Sequence, residues 1–76
     1  MDRAERKIAE QHLMEAEDMV AQGRKHIARQ KRVIAELTRD GHDIASATLL
    51  LDTLQESQRM QEQHRDRLRK ELGLNP

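Results

Sequence analysis

Apolar residues recur along the first half of the chain in steps that alternate between four and three. The positions are Ala9, Leu13, Ala16, Val20, Gly23, Ile27, Gln30, Ile34 and Leu37. This is the a/d spacing of a heptad, which places them on one stripe of an α-helix. Met19 and Val33 widen the stripe toward that of a helix in a bundle. We therefore predict a first helix over residues 3–40, begun by Asp2 with Glu5 three positions on, in the form of a capping box.

The second half of the chain repeats the same alternation of three and four. Its positions are Ile44, Ala47, Leu51, Leu54, Gln58, Gln61, Arg65, Leu68 and Leu72. Leu50 widens this second stripe as well. Gly73 followed by Leu74 is typical of a helix end, and Asn75-Pro76 cannot extend a helix. The spacing predicts a second helix over residues 44–72.

The two patterns meet in the stretch RDGHDIASA, residues 39–47. One interpretation is a site in which His42, Asp40 and Asp43 hold a metal or move a proton. The favoured interpretation is a corner, because Gly41 stands where a helix commonly ends in a left-handed glycine. Asp43 stands where a carboxylate accepts from the free N–H groups of a new helix. A turn over residues 40–43 is short enough to make the two helices antiparallel neighbours.

Charge alternates in four blocks along the chain. Residues 1–22 carry three basic and six acidic side chains, and residues 23–39 carry six basic and one acidic. Residues 40–57 carry four acidic side chains and no basic one, and residues 58–76 carry five basic and three acidic. Folding the chain at the turn sets each positive block beside a negative one. The pattern favours a hairpin over one long helix, although exposed ion pairs contribute only about 0–1 kcal/mol each.

The predicted fold is all-α: residues 1–76 form a single antiparallel two-helix hairpin. Two helices share one line of contact, so a stripe this wide stays partly exposed in a monomer, and chains this short bury little surface. We therefore expect two hairpins to associate as a homodimeric four-helix bundle, with the turns at the same end or at opposite ends. The alternative occupant of the stripe is a different protein. The predicted dimer and core seam consists of Leu13, Val20, Ile27, Ile34, Leu37, Ile44, Leu50, Leu51, Leu54 and Leu68.

Composition narrows the setting of the protein. The 76 residues contain no cysteine, which excludes disulfides and thiolate metal sites, and no Phe, Tyr or Trp, which removes the usual stacking platforms for nucleic-acid bases. No apolar run approaches the roughly 18 residues of a membrane span. The N-terminus lacks a signal-peptide core, and Glu5 and Glu10 argue against an organelle transit peptide. We expect a cytoplasmic protein that does not enter membranes.

Candidate chemistry is sparse. No nucleophile–base pair or glycine-rich phosphate loop occurs, and the Glu-x-x-His pattern of bundle metal sites is missing, so we expect no enzyme, cofactor or metal. The expected function is protein–protein interaction, as a scaffolding or regulatory module. The alternative is a small nucleic-acid-associated protein that contacts phosphates through a basic surface. That surface consists of Arg24, Lys25, Arg29, Lys31 and Arg32.

The stretch IARQKRVIAELTRDGHDIASATLLLDTLQESQRMQEQHRDRLRKEL resembles a family of short helical proteins common in alphaproteobacteria, which share a DGHD and an HRDRL pattern. The matching residues are Arg29, Gln30, Leu37, Asp40 to Asp43, Ala47, Leu50, Leu51 and His64 to Leu68. The resemblance spans residues 27–72 and implies a bacterial lineage and a cytoplasmic setting. It brings no activity and no catalytic residue. By sequence arithmetic we expect the His64–Arg67 run to lie opposite the basic middle of the first helix.

Overall fold

The computed structural model describes residues 1–74, which form two α-helices joined by one short turn. Helix α1 runs over Arg3–Arg39 and helix α2 over Ala45–Glu71. Both lie within one residue of the predicted bounds at each end. The helices pack side by side into a rod of 58 × 17 × 14 Å, as expected for a 37-residue helix with a rise of about 1.5 Å per residue. The predicted stop at Asn75-Pro76 lies outside the described residues.

The ends of α1 follow from local sequence. Asp2 caps the first turn, with its Oδ1 accepting from the Glu5 N–H at 2.7 Å. At the other end Gly41 has a φ of +76°, in the left-handed region that favours glycine. The Gly41 N–H donates to the Thr38 carbonyl, and the His42 N–H donates to the Leu37 carbonyl at 2.9 Å. This is the Schellman arrangement, which satisfies carbonyl groups that the helix end leaves free.

Helix α2 begins and ends by similar means. Ile44 occupies the cap position and makes no side-chain cap bond. The carboxylate of Asp43, one residue earlier, accepts from the Ala45 N–H at 2.9 Å. Gly73 repeats the left-handed ending with a φ of +74°, and the Leu74 N–H donates to the Arg69 carbonyl at 2.8 Å. A glycine with a left-handed backbone conformation therefore follows the C-terminus of each helix.

The register of the two helices is fixed at their middle. A side chain at Gly23 would overlap the amide of Gln58, so these two residues face each other across the seam. Gln58 is 7% exposed, and its Nε2 donates to the Val20 carbonyl at 2.8 Å. Nearer the turn, Gln30 Nε2 donates to the Ala47 carbonyl at 2.9 Å. Because both stripes step by three and four, a Gly23–Gln58 layer places Ala9 beside Leu72 at the far end.

Burial is uneven along this seam. Of the predicted seam residues, Leu13, Val20 and Leu68 are buried. Ala9, Ala16, Gln58 and Leu72 are buried as well. Six predicted residues are only half-buried, namely Ile27, Ile34, Leu37, Ile44, Leu51 and Leu54. Leu50 is exposed, so it does not belong to the core of a single hairpin. The core is therefore closed at the end of the rod that carries both chain termini. We call this the open end, because no turn joins the helices there, and the other the turn end. The dimer seam stays a prediction.

The expected position of the His64–Arg67 run is wrong. Arg69 contacts Glu17, and Gln58 contacts Val20, so the run between them lies beside residues 13–20 of α1. This is the acidic part of α1 and not its basic middle. The expectation miscounted the antiparallel register: with Gly23 opposite Gln58, each residue further along α2 faces one residue further back along α1, which brings residues 64–67 to about residues 14–17. Arg65 enters the seam there, with its side chain 16% exposed and its Nε 3.0 Å from Asp66 Oδ1.

Candidate interaction surface

The turn does not gather a chemical site. Asp40, His42 and Asp43 are all exposed. Asp43 is engaged as a cap, and Asp40 lies 3.9 Å from the guanidinium of Arg39. Within residues 1–74, no three histidine or acidic side chains lie close enough together to hold a metal ion. The contacts that surround the turn are those of a helix corner.

Polar side chains cross the seam at the open end. The Arg69 guanidinium donates to Glu17 Oε1 from both Nε and Nη2, at 3.2 and 3.0 Å. The Arg6 guanidinium donates to the Leu72 carbonyl at 3.4 Å. The long stems of these arginines cover apolar surface while their charged ends stay in contact with water. Both contacts therefore help to close the core beneath them.

The charge blocks meet unevenly across the helices. Arg69 and Glu17 link the C-terminal positive block to the N-terminal negative block. Among the ion pairs within residues 1–74, none joins residues 23–39 to residues 40–57 across the helices, since Arg39 and Asp40 are neighbours in the chain. The most positive and the most negative block of the sequence are therefore not joined by an ion pair between the helices within residues 1–74.

One side of the hairpin carries a row of apolar side chains beside the seam. A shallow cleft lined by Met19, His26 and Ser57, among others, shows that these positions of the two helices share one face. Val33 lies two turns beyond His26, and Leu50 lies two turns before Ser57, on the same rows. We call this surface the methionine face. It consists of Met19, His26, Val33, Leu50 and Ser57, together with Met60, which lines a second shallow depression with Ser57.

The large apolar side chains of the methionine face are strongly exposed to solvent. Met19 is 50% exposed, Leu50 49% and Met60 64%. His12 and His64 continue the same rows toward the open end, and both are exposed. Large exposed apolar side chains that share one face are typical of association surfaces, whereas single exposed apolar residues are ordinary. Three large exposed apolar side chains of the helices therefore share this side, while Met14 and Leu49 are exposed elsewhere.

The opposite side of the hairpin has a different character. It carries the Arg69–Glu17 pair and a row of alanines, Ala21, Ala28 and Ala35. Met14, 67% exposed, is the large apolar residue on this side of α1. The side is otherwise polar, and we call it the alanine face. The two faces provide a natural comparison, since they belong to the same helices and differ mainly in apolar content.

The basic surface of α1 is fully available to solvent. Arg24, Lys25, Arg29, Lys31 and Arg32 are all exposed. None of them takes part in the ion pairs found within residues 1–74. The surface spans little more than two helical turns, and aromatic residues that could stack on bases are missing from the chain.

Comparisons with known proteins add no relatives. No protein-family model, curated protein or solved structure matched the chain. Over the residues that the structure describes, neither helix is apolar enough along its length to cross a membrane.

Sequence reasoning missed the contacts that fix the pairing of the helices. Gln58 and Gln30 were placed in the seam as polar layers, but their bonds to the Val20 and Ala47 carbonyls were not foreseen. The available signal was Gly23, which lies on the apolar stripe of a helix and therefore leaves room for a large partner. A glycine in one seam and a glutamine in the other indicate a layer in which the amide fills the gap.

Proposed function

We propose that this protein is a non-enzymatic interaction module, which self-associates through its helical hairpin into a homodimeric four-helix bundle and acts in scaffolding or regulation. The observation that supports the proposal is the exposed methionine face next to a core that closes at one end only. Association would remove this apolar surface from water, which stabilises a complex by about 25 cal/mol per Å² buried. A second hairpin is favoured as the partner because the chain then encodes only one surface.

The experiment is light scattering after size exclusion over a concentration series, with far-UV circular dichroism on the same samples. We expect a helical species of about twice 8.9 kDa that dissociates on dilution. A monomer at all concentrations, folded or not, would contradict self-association. A partly helical monomer that melts without cooperativity would direct the search to a different protein that folds it.

A nucleic-acid-associated role is the second candidate, supported by the basic surface of α1, which is exposed and takes part in no ion pair within residues 1–74. Neutral net charge weakens this candidate, since non-specific binding to phosphates follows positive charge. The test is elution from heparin in a salt gradient, comparing a Lys25→Gln, Arg29→Gln variant with an Arg59→Gln, Arg67→Gln control of equal charge. Elution at low salt, or equal shifts in both variants, would remove this candidate.

We also propose a cytoplasmic setting and membership of the alphaproteobacterial family that residues 27–72 resemble. Support for the setting comes from the lack of cysteine, which suits a reducing compartment. Support for the family comes from the DGHD and HRDRL runs, both of which have a structural role here. The first forms the turn, and the second contributes Arg65 and Leu68 to the seam.

A further inference from the structure

We propose that the second hairpin docks on the methionine face, with the turns of the two copies at the same end of the bundle. The inference rests on the proposed self-association and deepens it by naming the contact surface and the polarity, meaning the relative direction of the two hairpins. Three observations carry it: the asymmetry between the two faces, the levels at which apolar residues lie, and the unused charges.

The difference between the two faces indicates which one the second hairpin contacts. The methionine face presents Met19, Leu50 and Met60, each about half or more exposed, in line with the half-buried Val33. Val33 and Leu50 directly border the half-buried seam at the turn end, so a partner on this face would cover that part of the seam as well. On the alanine face the seam is already crossed by Arg69 and Glu17, whose pair a partner would have to break or desolvate.

The heights of the apolar residues along the rod, here called levels, indicate the relative direction of the two hairpins. With Gly23 opposite Gln58, Val33 and Leu50 lie within about one turn of each other along the rod, as do Met19 and Met60. A two-fold axis along the rod sets each level against its own copy, so both apolar levels meet apolar partners. A reversed hairpin that overlaps along the full length of the rod would instead set Val33 and Leu50 against His12 and the polar open end.

Charge complementarity favours a second copy over an unrelated partner. In the arrangement with the turns together, α1 of one hairpin runs beside α2 of the other at the same levels as within a hairpin. Lys25 then lies level with Glu56 of the second copy, and Glu15 lies level with Arg67. Glu56 is exposed and paired only with Arg59 three residues away, so it can also accept from Lys25. The basic and acidic blocks that do not meet inside one hairpin thus meet between two.

The face is tested with matched pairs of substitutions. Met19→Arg and Leu50→Arg place a charge on the methionine face, whereas Met14→Arg and Leu49→Arg place the same charge at exposed positions away from it. Burying an unpaired arginine in an apolar interface is costly, so we expect the first pair to weaken self-association at least about 100-fold. The controls should change it less than about threefold. Far-UV circular dichroism verifies that each variant retains its helices.

The polarity is tested separately on the unaltered faces. Because the chain has no cysteine, His42→Cys provides a single site for a spin label at the exposed turn. With the turns together, pulsed EPR should give a distance below about 30 Å, since neighbouring helices pack about 8–10 Å apart and the labels add their own reach. With the turns at opposite ends the distance should approach the 58 Å length of the rod.

The outcomes separate the two proposals. A dimer with a short label distance and selective loss in Met19→Arg and Leu50→Arg supports the inference. A dimer with a long distance overturns the polarity, and equal loss in Met14→Arg overturns the choice of face, while self-association stands in both cases. A chain that is monomeric at every concentration overturns the proposed function and this inference together.

Discussion

The open end and the turn end of the hairpin differ in how well they bury similar apolar sequences. At the open end, a closed cluster forms from Ala9, Leu13, Ala16, Leu68 and Leu72. At the turn end, residues that are at least as apolar stay half-buried, among them Ile34, Leu37, Ile44 and Leu51. Apolar content in the seam therefore does not decide which end closes.

The difference arises from the residues that flank the seam. At the open end, Arg6 and Arg69 reach across and donate hydrogen bonds to the other helix, which favours placement of their alkyl stems along the edge of the core. At the turn end, the α1 flank includes Thr38, whose hydroxyl donates to the Ile34 carbonyl of its own helix at 2.8 Å. That hydroxyl covers nothing on the other helix. The comparison teaches that long polar side chains can complete a core in a protein too small to enclose one.

The largest expected effect contrasts a leucine from each end. Leu68→Ala should lower the free energy of unfolding by about 2–5 kcal/mol, because Leu68 is 8% exposed and the site cannot collapse fully. Leu51→Ala, at the half-buried end, should lower it by much less in dilute monomer. Urea unfolding followed by circular dichroism measures both, and equal losses would remove the distinction between the ends.

The next effect concerns the two left-handed glycines. Gly41→Ala should cost about 1–2 kcal/mol, since an alanine Cβ meets no neighbour there and only the positive φ is unfavourable. Gly73→Ala has the same geometry but should cost less, because the last turn of α2 can fray without separating the helices. Thermal unfolding of both variants provides the measurement. A larger loss at Gly73 would mean that the open end depends on its final turn more than we infer.

A smaller effect is expected at the layer between the two ends. Gln58→Leu removes the bond to the Val20 carbonyl, a net contribution of about 0.5–1.5 kcal/mol, and adds apolar burial that offsets much of it. Polar seam residues help to fix register and oligomeric state, so the variant should keep its stability and form mixed oligomers. Light scattering on the variant decides this, with Gln63→Leu at an exposed position as the control. A single species of the same mass in both would show that Gln58 does not set the assembly.

The smallest effect is the coupling between Arg69 and Glu17. Both side chains are partly exposed, so a double-mutant cycle with alanine should give at most about 1 kcal/mol, and less at high salt. A parallel cycle on Arg32 and Glu71, exposed residues near opposite ends of the hairpin, should give no coupling. Coupling of equal size in both cycles would indicate general charge effects, and the account of how the open end is covered would then need revision.

Local sequence determined the helices and the turn. The alternation of three and four, the Asp2 cap and the glycines at Gly41 and Gly73 each act through bonds within a few residues, so their geometry could be predicted without the partner helix. Periodicity also indicated which stripes face each other, and Gly41 set the antiparallel direction. For the same reason the wide stripe correctly predicted exposed apolar side chains such as Met19 and Leu50.

Only the tertiary structure decided which parts of those stripes are covered. Burial at the open end depends on Arg69 reaching Glu17, residues 52 positions apart in the chain. The hydrogen bond from Gln58 to the Val20 carbonyl likewise joins residues 38 positions apart in the chain, so the exact layer is fixed only once the helices are paired. Periodicity specifies the direction in which a side chain points from its own helix. What lies above that side chain depends on the register of a second helix and on the flexible polar groups beside it.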